Sequence, residues 1–146
     1  MAKGINIAIV GVGNCASSLV QGLEYYKSLR STDPTPPGIM HSEIGGYTLS
    51  DITVVAAFDI NASKVGKTLK DAIFAEPNNT IRFSKPPDST ASVIVRRGMT
   101  HDGIGQYLQD IIVKASGPTA NVQQILKETK TDVLINYLPV GSEEAT

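Results

Sequence analysis

Three apolar runs along the chain have the pattern of strands buried in a parallel sheet. They are "INIAIV" (5–10), "DITVVAAF" (51–58) and "TDVLINYL" (131–138), and each is short and rich in β-branched residues. "SVIVRR" (92–97) is a weaker candidate for a fourth strand. These runs therefore predict a sheet whose two faces are both covered.

Apolar residues at helical spacing fall between the strand candidates. The spacing predicts one helix after residue 13 (Ala16, Leu19, Val20, Leu23), a second capped by Asn61 (Ala62, Val65, Leu69, Ala72), a third over 104–112 and a fourth around 122–126. Strands that alternate with helices predict right-handed crossovers and a parallel sheet. The predicted fold class is α/β, a Rossmann-type doubly wound parallel sheet that is incomplete at the C-terminus.

Two segments interrupt this alternation. Residues 30–50 and 75–91 are rich in Pro, Gly, Ser, Thr and Asn, and they predict long loop insertions within one domain spanning 1–146. Loops of this length are often functional.

The first strand runs into a glycine-rich turn, as in proteins that bind dinucleotides. Gly11 would allow the tight turn, Gly13 would let a pyrophosphate approach the backbone, and Ala16 would let the helix pack closely on the strand. The N–H groups and dipole at the helix start would favour the phosphates, which makes Val12, Asn14 and Cys15 candidate cofactor contacts.

Asp59 is the predicted acidic partner of this turn. Glu24 comes too early and Asp33 follows no strand, whereas Asp59 ends the second strand, 48 positions after Gly11. Without the 21 positions of 30–50 the separation is 27, close to the usual spacing of about 20. Its carboxylate would accept from both adenosine ribose hydroxyls. Ile60 and Asn61 follow with no Arg for a 2′-phosphate, which favours NAD over NADP; the alternative is an ordinary strand–helix turn.

Composition excludes several classes of protein. The 146 residues carry 13 basic and 14 acidic side chains without a basic run, so nothing indicates nucleic acid binding. No stretch is long enough to span a membrane, and a single cysteine is typical of a reducing compartment, which predicts a cytoplasmic protein.

Other reactive residues receive structural interpretations. Cys15 is expected to be a small buried residue at the helix start, and Ser142 is expected to cap a helix that begins with Glu143 and Glu144. His41 and His101 are isolated, so no metal site is predicted.

Several blocks of the sequence resemble the N-terminal part of the inositol-1-phosphate synthases of the bacterial and archaeal type, also called inositol-3-phosphate synthases. The blocks that carry the resemblance are "VGVGNCASSLVQGLEYY", "GIMH", "VAAFDINASKVGK", "AIFAEPNNTI", "RRGMTHDGIGQY" and "DVLINYLPVGSEEAT". They occur in order over nearly the whole chain, and the segments 28–37 and 84–92 show no such resemblance.

The resemblance implies an NAD-dependent isomerase of inositol and phospholipid biosynthesis. In that family glucose 6-phosphate is oxidised at C5 by NAD, cyclised through an enolate that attacks the C1 aldehyde, and reduced again to myo-inositol phosphate. The family members are homotetramers more than twice this long. Their catalytic lysines and tetramerisation domain would lie beyond residue 146, so no catalytic residue is assigned here and the chain alone is expected to be inactive.

Two alternatives remain open from the sequence. The strand and loop "TDVLINYLP" also resemble the segment that meets the nicotinamide in sugar-type dehydrogenases. Its position after a parallel strand makes Tyr137, Leu138 and Pro139 candidate contacts on the nicotinamide side. The other alternative is a non-catalytic nucleotide-binding module.

Overall fold

The computed structural model describes residues 4–27, 34, 37–104 and 107–146. Its main sheet has four parallel strands, Ile5–Val10 (β1), Ile52–Asp59 (β4), Val95–Arg97 (β5) and Val133–Asn136 (β6), and a small antiparallel hairpin pairs Glu43–Ile44 (β2) with Tyr47–Thr48 (β3). The helices are Asn14–Tyr25 (α1), Leu69–Ala72 (α2) and Val122–Glu128 (α3), with 3₁₀ turns at Leu49–Asp51 and Asp88–Ala91.

The order of the strands confirms the predicted α/β fold. In space the order is β5-β4-β1-β6, and β1 pairs in parallel with both β4 and β6. The chain therefore builds outward from β1 to β5 and then returns to place β6 on the other side of β1. This reversal is the switch point at which Rossmann-type sheets bind ligands, beyond the carboxyl ends of the strands.

The alternation of side chains along β1 explains why both faces of the sheet are covered. Ile7 and Ile9 face one side and pack with Val20 of α1 and with residues of α2, whereas Ala8 faces the other side with Phe58. Ile125 and other residues of α3 pack on that second side. The edge strand β6 is less protected, since Val133 is 48% exposed.

The second predicted helix is mostly absent, and this prediction was wrong. Gly66 takes a φ of +86° and Thr68 is extended. The backbone therefore leaves the helical conformation, although the apolar residues keep their helical spacing. Instead the segment runs beside β5, where Gly66 N–H donates to Val95 O (2.8 Å) and Val95 N–H donates to Lys67 O (2.9 Å). Only the four residues of α2 form a helix, which begins where Thr68 Oγ1 accepts the Asp71 N–H.

The prediction of a helix over 104–112 is also wrong for the residues described there. Residues 101–104 and 107–111 form turns, with a single helical bond from Ile112 N–H to Leu108 O (2.9 Å). After them the chain pairs with the loop that follows β4, since Ala115 N–H donates to Ile60 O (2.7 Å). That pairing requires extended backbone and ends the helical turn.

The two long loops are partly structured. The segment 30–50 contains the hairpin and a 3₁₀ turn, and its residues 30–33, 35 and 36 lie outside the described part. The segment 75–91 has no regular structure before its 3₁₀ turn, as predicted. Gln21, which is fully buried in α1, orders this loop by accepting from Phe83 N–H (3.0 Å) and donating to Ile81 O (3.2 Å).

Ser142 does not cap a helix. Residues 143–145 form turns, and the buried Ser142 Oγ has no hydrogen-bond partner among the described residues. Asp102 instead holds these turns, because its carboxylate accepts the N–H groups of Glu144 and Ala145, each at 3.0 Å. The Glu144 N–H bond is the largest cause that lowers the pKa of Asp102.

Across the described ranges, no helix is both long and apolar enough to cross a membrane.

Candidate functional site

A small cavity lies where the carboxyl ends of the four parallel strands meet. Seven of the ten residues predicted for the cofactor site line it: Gly11, Gly13, Asp59, Ile60, Tyr137, Leu138 and Pro139. The loops after β1, β4 and β6 supply them. Residues that are far apart in the sequence therefore converge at the switch point of the sheet, where the chain topology brings their loops together.

Gly11 joins the turn after β1 to the loop after β6. Its φ is +88°, a region that residues with a Cβ rarely adopt, and a Cβ placed there would lie 2.9 Å from the backbone C and O of Tyr137. Tyr137 N–H in turn donates to Val10 O (2.8 Å). Two loops thus approach so closely that only glycine fits between them.

Gly13 plays a different role from Gly11. Its φ of −91° suits any residue, and a Cβ placed there would meet nothing within 4 Å. Gly13 is the residue before α1, and its carbonyl accepts the Ser17 N–H (3.0 Å) that opens the helix. Open space therefore borders the N-terminus of a twelve-residue helix, where the helix dipole attracts anions.

Asp59 is bound tightly to the backbone around it. One carboxylate oxygen accepts the Val12 N–H at 2.7 Å, and the other accepts Ile60 N–H at 2.7 Å and Asn61 N–H at 2.8 Å. The bond from Val12 N–H joins Asp59 directly to the glycine turn. The expected contact of Asp59 with a ribose stays a prediction. A carboxylate offers about four acceptor positions, so three of them are taken by the protein itself.

Asn14 and Cys15 do not line this cavity. The Asn14 side chain is engaged with the 75–91 loop, donating to Asn79 Oδ1 (2.8 Å) and accepting from Asn79 N–H (2.9 Å) and Thr80 Oγ1 (2.9 Å). Cys15 is exposed, so the prediction that it is buried was wrong. Both residues border an apolar groove along α1 that Tyr137 also lines.

Tyr137 stands between the cavity and the groove. Burial raises the pKa of its phenol, and the nearby Cys15 thiol raises it further. The ring is therefore a neutral hydrogen-bonding group at ordinary pH. Among the described residues, no group of three His, Cys, Asp or Glu side chains is arranged to hold a metal ion.

Lys64, which no sequence motif marks as a site residue, lies directly behind the glycine turn. Its side chain is almost fully buried, with 4% exposed, and Nζ donates to Val12 O and to Asn78 Oδ1, each at 2.8 Å. Burial lowers the pKa of Lys64, and the negative charge of Asp59 partly opposes this shift. No motif marks Lys64, because its partners are a backbone carbonyl and an amide from a loop.

The apolar wall of the cavity was also missed. It comprises Val10, Phe58, Met99, Leu108 and Ile112, with Gly98 and Gly103 beside them. Leu108 and Ile112 belong to the helix predicted over 104–112. Leu108 lies instead on the turn 107–111 and Ile112 directly follows it, and both residues line one side of the cavity.

The strand order and the cluster at the sheet edge define a Rossmann-type α/β domain. No protein-family model matches the chain. Comparison with solved structures supports the fold. The chain superimposes on the crystal structure of Ari2 with a TM-score of 0.74 and 35% identity, covering 97% of this chain and 40% of that one. A myo-inositol-1-phosphate synthase-related protein from Thermotoga maritima matches with a TM-score of 0.63 and 20% identity over 92% of this chain and 34% of that one, which supports the fold alone.

Sequence relatives identify the family whose N-terminal part this chain resembles. It is 55% identical over 141 residues to the inositol-3-phosphate synthase of Mycobacterium tuberculosis and 48% identical over 143 residues to that of Corynebacterium glutamicum. Each match covers 97% of this chain and 38% of the relative. The chain is thus homologous to the N-terminal part of the inositol-3-phosphate synthases and spans about two-fifths of their length, which confirms the resemblance.

Proposed function

We propose that this chain is the NAD-binding part of an inositol-3-phosphate synthase, which converts glucose 6-phosphate to myo-inositol phosphate. The observation that carries the proposal is the hydrogen bond from Val12 N–H to Asp59 Oδ2 (2.7 Å), which joins the glycine turn to the acidic residue at the end of β4. The homology to the synthases over 97% of the chain supports the reaction.

The shape of the site fits part of a dinucleotide. The cavity volume is about 120 Å³, small beside the roughly 300–1,000 Å³ of ordinary ligand sites. It would take one portion of the cofactor against its apolar wall. The diphosphate would lie in the open space beside Gly13, where a Cβ would meet nothing within 4 Å.

The chemistry of the donors and acceptors also fits. The first turn of α1 presents N–H groups to the phosphates without an acidic residue to oppose them. The remaining acceptor position of Asp59 would take one ribose hydroxyl, while its negative charge would repel a 2′-phosphate. Bound NAD would supply hydride acceptance and return, and Tyr137, Leu138 and Pro139 would border its nicotinamide.

A dehydrogenase of the sugar type would use the same site. The two functions differ in the fate of the hydride, because a synthase regenerates NAD and a dehydrogenase releases NADH. The homology favours the synthase, since the relatives named above are inositol-3-phosphate synthases.

A chimera tests the proposed reaction. The chain would replace the matching 141 residues of the Mycobacterium tuberculosis relative, to which it is 55% identical. With glucose 6-phosphate and a catalytic amount of NAD, we expect inositol phosphate without accumulation of NADH. The same chimera with Asp59→Ala should be strongly impaired at low NAD. A folded chimera that accumulates NADH, or that forms no inositol phosphate at saturating NAD, would contradict the proposal.

A further inference from the structure

Lys64 places a buried ammonium group against the backbone of the glycine turn. Its Nζ lies 2.8 Å from Val12 O, and the same oxygen accepts a second bond from Asn78 Nδ2 at 3.0 Å. Asn78 is itself fixed, since its Nδ2 also donates to Ile73 O (3.0 Å). Two side chains from beyond β4 therefore converge on one carbonyl.

The location of this lysine is unfavourable for folding alone. A charged group with 4% of its surface exposed loses most of its hydration, and its hydrogen-bond partners here are a neutral carbonyl and a neutral amide. The negative charge of Asp59 offsets only part of that loss. The lowered pKa of Lys64 has the same origin. Because burying the ammonium group costs free energy of folding, the charge calls for a reason beyond the packing of the core.

The geometry of the peptide supplies that reason. A trans peptide is planar, and its C=O and N–H point in opposite directions. Lys64 and Asn78 hold the Val12 carbonyl toward the interior, so the N–H of Gly13 points to the other side, where the space beside Gly13 is open. Asp59 holds the preceding N–H, that of Val12, and so fixes the other end of the same residue.

We propose that Lys64 is a positioning residue for the cofactor diphosphate, acting with Asn78 through the Val12–Gly13 peptide. It aims the Gly13 N–H at the phosphates, and its positive charge behind the turn adds to the field at the start of α1. This inference rests on the proposed function, because it assumes that a nucleotide diphosphate binds beside Gly13.

Comparison of ligands with and without phosphate separates this role from a general structural one. The dissociation constants of NAD, ADP and adenosine would be measured for the unaltered chain, for Lys64→Met and for Lys67→Met, which removes an exposed positive charge three residues away. We expect Lys64→Met to raise the dissociation constants of NAD and ADP at least about tenfold, the scale of a hydrogen bond to a charged group. The dissociation constant of adenosine should stay within about twofold of its value in the unaltered chain. Lys67→Met should change none of the three constants.

Two further measurements keep the proposal testable if Lys64→Met does not fold. Asn78→Ala removes one of the two donors to Val12 O, together with the amide oxygen that accepts from Lys64 Nζ, and leaves the charge. It should therefore weaken ADP binding about threefold and leave adenosine binding unchanged. In the unaltered chain, saturation with ADP should shift the Gly13 amide proton downfield, and adenosine should not. Equal losses for ADP and adenosine, or an unmoved Gly13 amide, would overturn the positioning role. Failure of the unaltered chain to bind NAD or ADP would overturn the proposed function as well.

Discussion

Asp59→Ala should weaken NAD binding by about 1–3 kcal/mol and also lower the free energy of unfolding. The loss of binding reflects a missing charged acceptor for the ribose. The loss of stability arises because the carboxylate accepts three backbone N–H groups, of Val12, Ile60 and Asn61, which would be left without it. We expect about 2–4 kcal/mol from three partly solvated bonds of this kind. Titration calorimetry and denaturant unfolding measure the two effects.

Two comparisons make the Asp59 prediction specific. Asp88→Ala removes an exposed carboxylate at the start of a 3₁₀ turn and should leave both NAD affinity and stability nearly unchanged. The unaltered chain should prefer NAD to NADP, and Asp59→Ala should narrow that preference, because the charge that repels the 2′-phosphate is gone. Unchanged NAD affinity in Asp59→Ala, or equal binding of NAD and NADP by the unaltered chain, would refute the assignment of Asp59.

Alanine at the two glycines of the turn should separate folding from ligand binding. Gly11→Ala combines a φ of +88° with a Cβ only 2.9 Å from the Tyr137 backbone, so it should lower the free energy of unfolding by about 2–5 kcal/mol. Gly13→Ala has neither problem and should leave stability within about 1 kcal/mol. Its methyl group would occupy the space proposed for the diphosphate, so NAD affinity should fall at least about tenfold. Thermal or denaturant unfolding and NAD titration of both variants provide the data.

Gly66→Ala is the matched control for Gly11→Ala. Gly66 has nearly the same φ, +86°, but a Cβ there would meet nothing within 4 Å. Gly66→Ala should therefore lower the free energy of unfolding by only about 1–2 kcal/mol, the cost of a left-handed backbone for a residue with a Cβ. If Gly66→Ala and Gly11→Ala destabilise the chain equally, the close approach to Tyr137 contributes nothing. If Gly13→Ala binds NAD as tightly as the unaltered chain, the diphosphate does not lie beside Gly13.

The central strands and the first helix could be predicted from the sequence because several local signals agree there. The run 5–10 is apolar and β-branched, Gly11 marks the turn, and Ala16, Val20 and Leu23 form one helical face that packs on the sheet. The place of Asp59 at the cavity could be predicted because the end of the next strand has a defined position in this fold. In each case the residue type and its position along the chain predict the same structure.

The predictions that failed lie where tertiary contacts override local patterns. The apolar spacing around Val65 and Leu69 is helical, but Gly66 turns the chain alongside β5 and leaves only α2. Ile112 has helical spacing too, yet the chain after it pairs with the loop that follows β4. Lys64 could not be singled out from the sequence because its hydrogen-bond partner is the Val12 carbonyl, 52 positions away, and no spacing rule links the two residues.

We propose that NAD binds at the carboxyl edge of the sheet, between the glycine turn and Asp59. A crystal structure of the chain grown with NAD tests it most directly, because it locates each part of the cofactor. We expect the diphosphate within hydrogen-bond distance of Gly13 N–H and a ribose hydroxyl on the Asp59 carboxylate. The nicotinamide should lie beside the loop of Tyr137, Leu138 and Pro139. NAD bound instead in the apolar groove along α1, with Gly13 and Asp59 untouched, would contradict it.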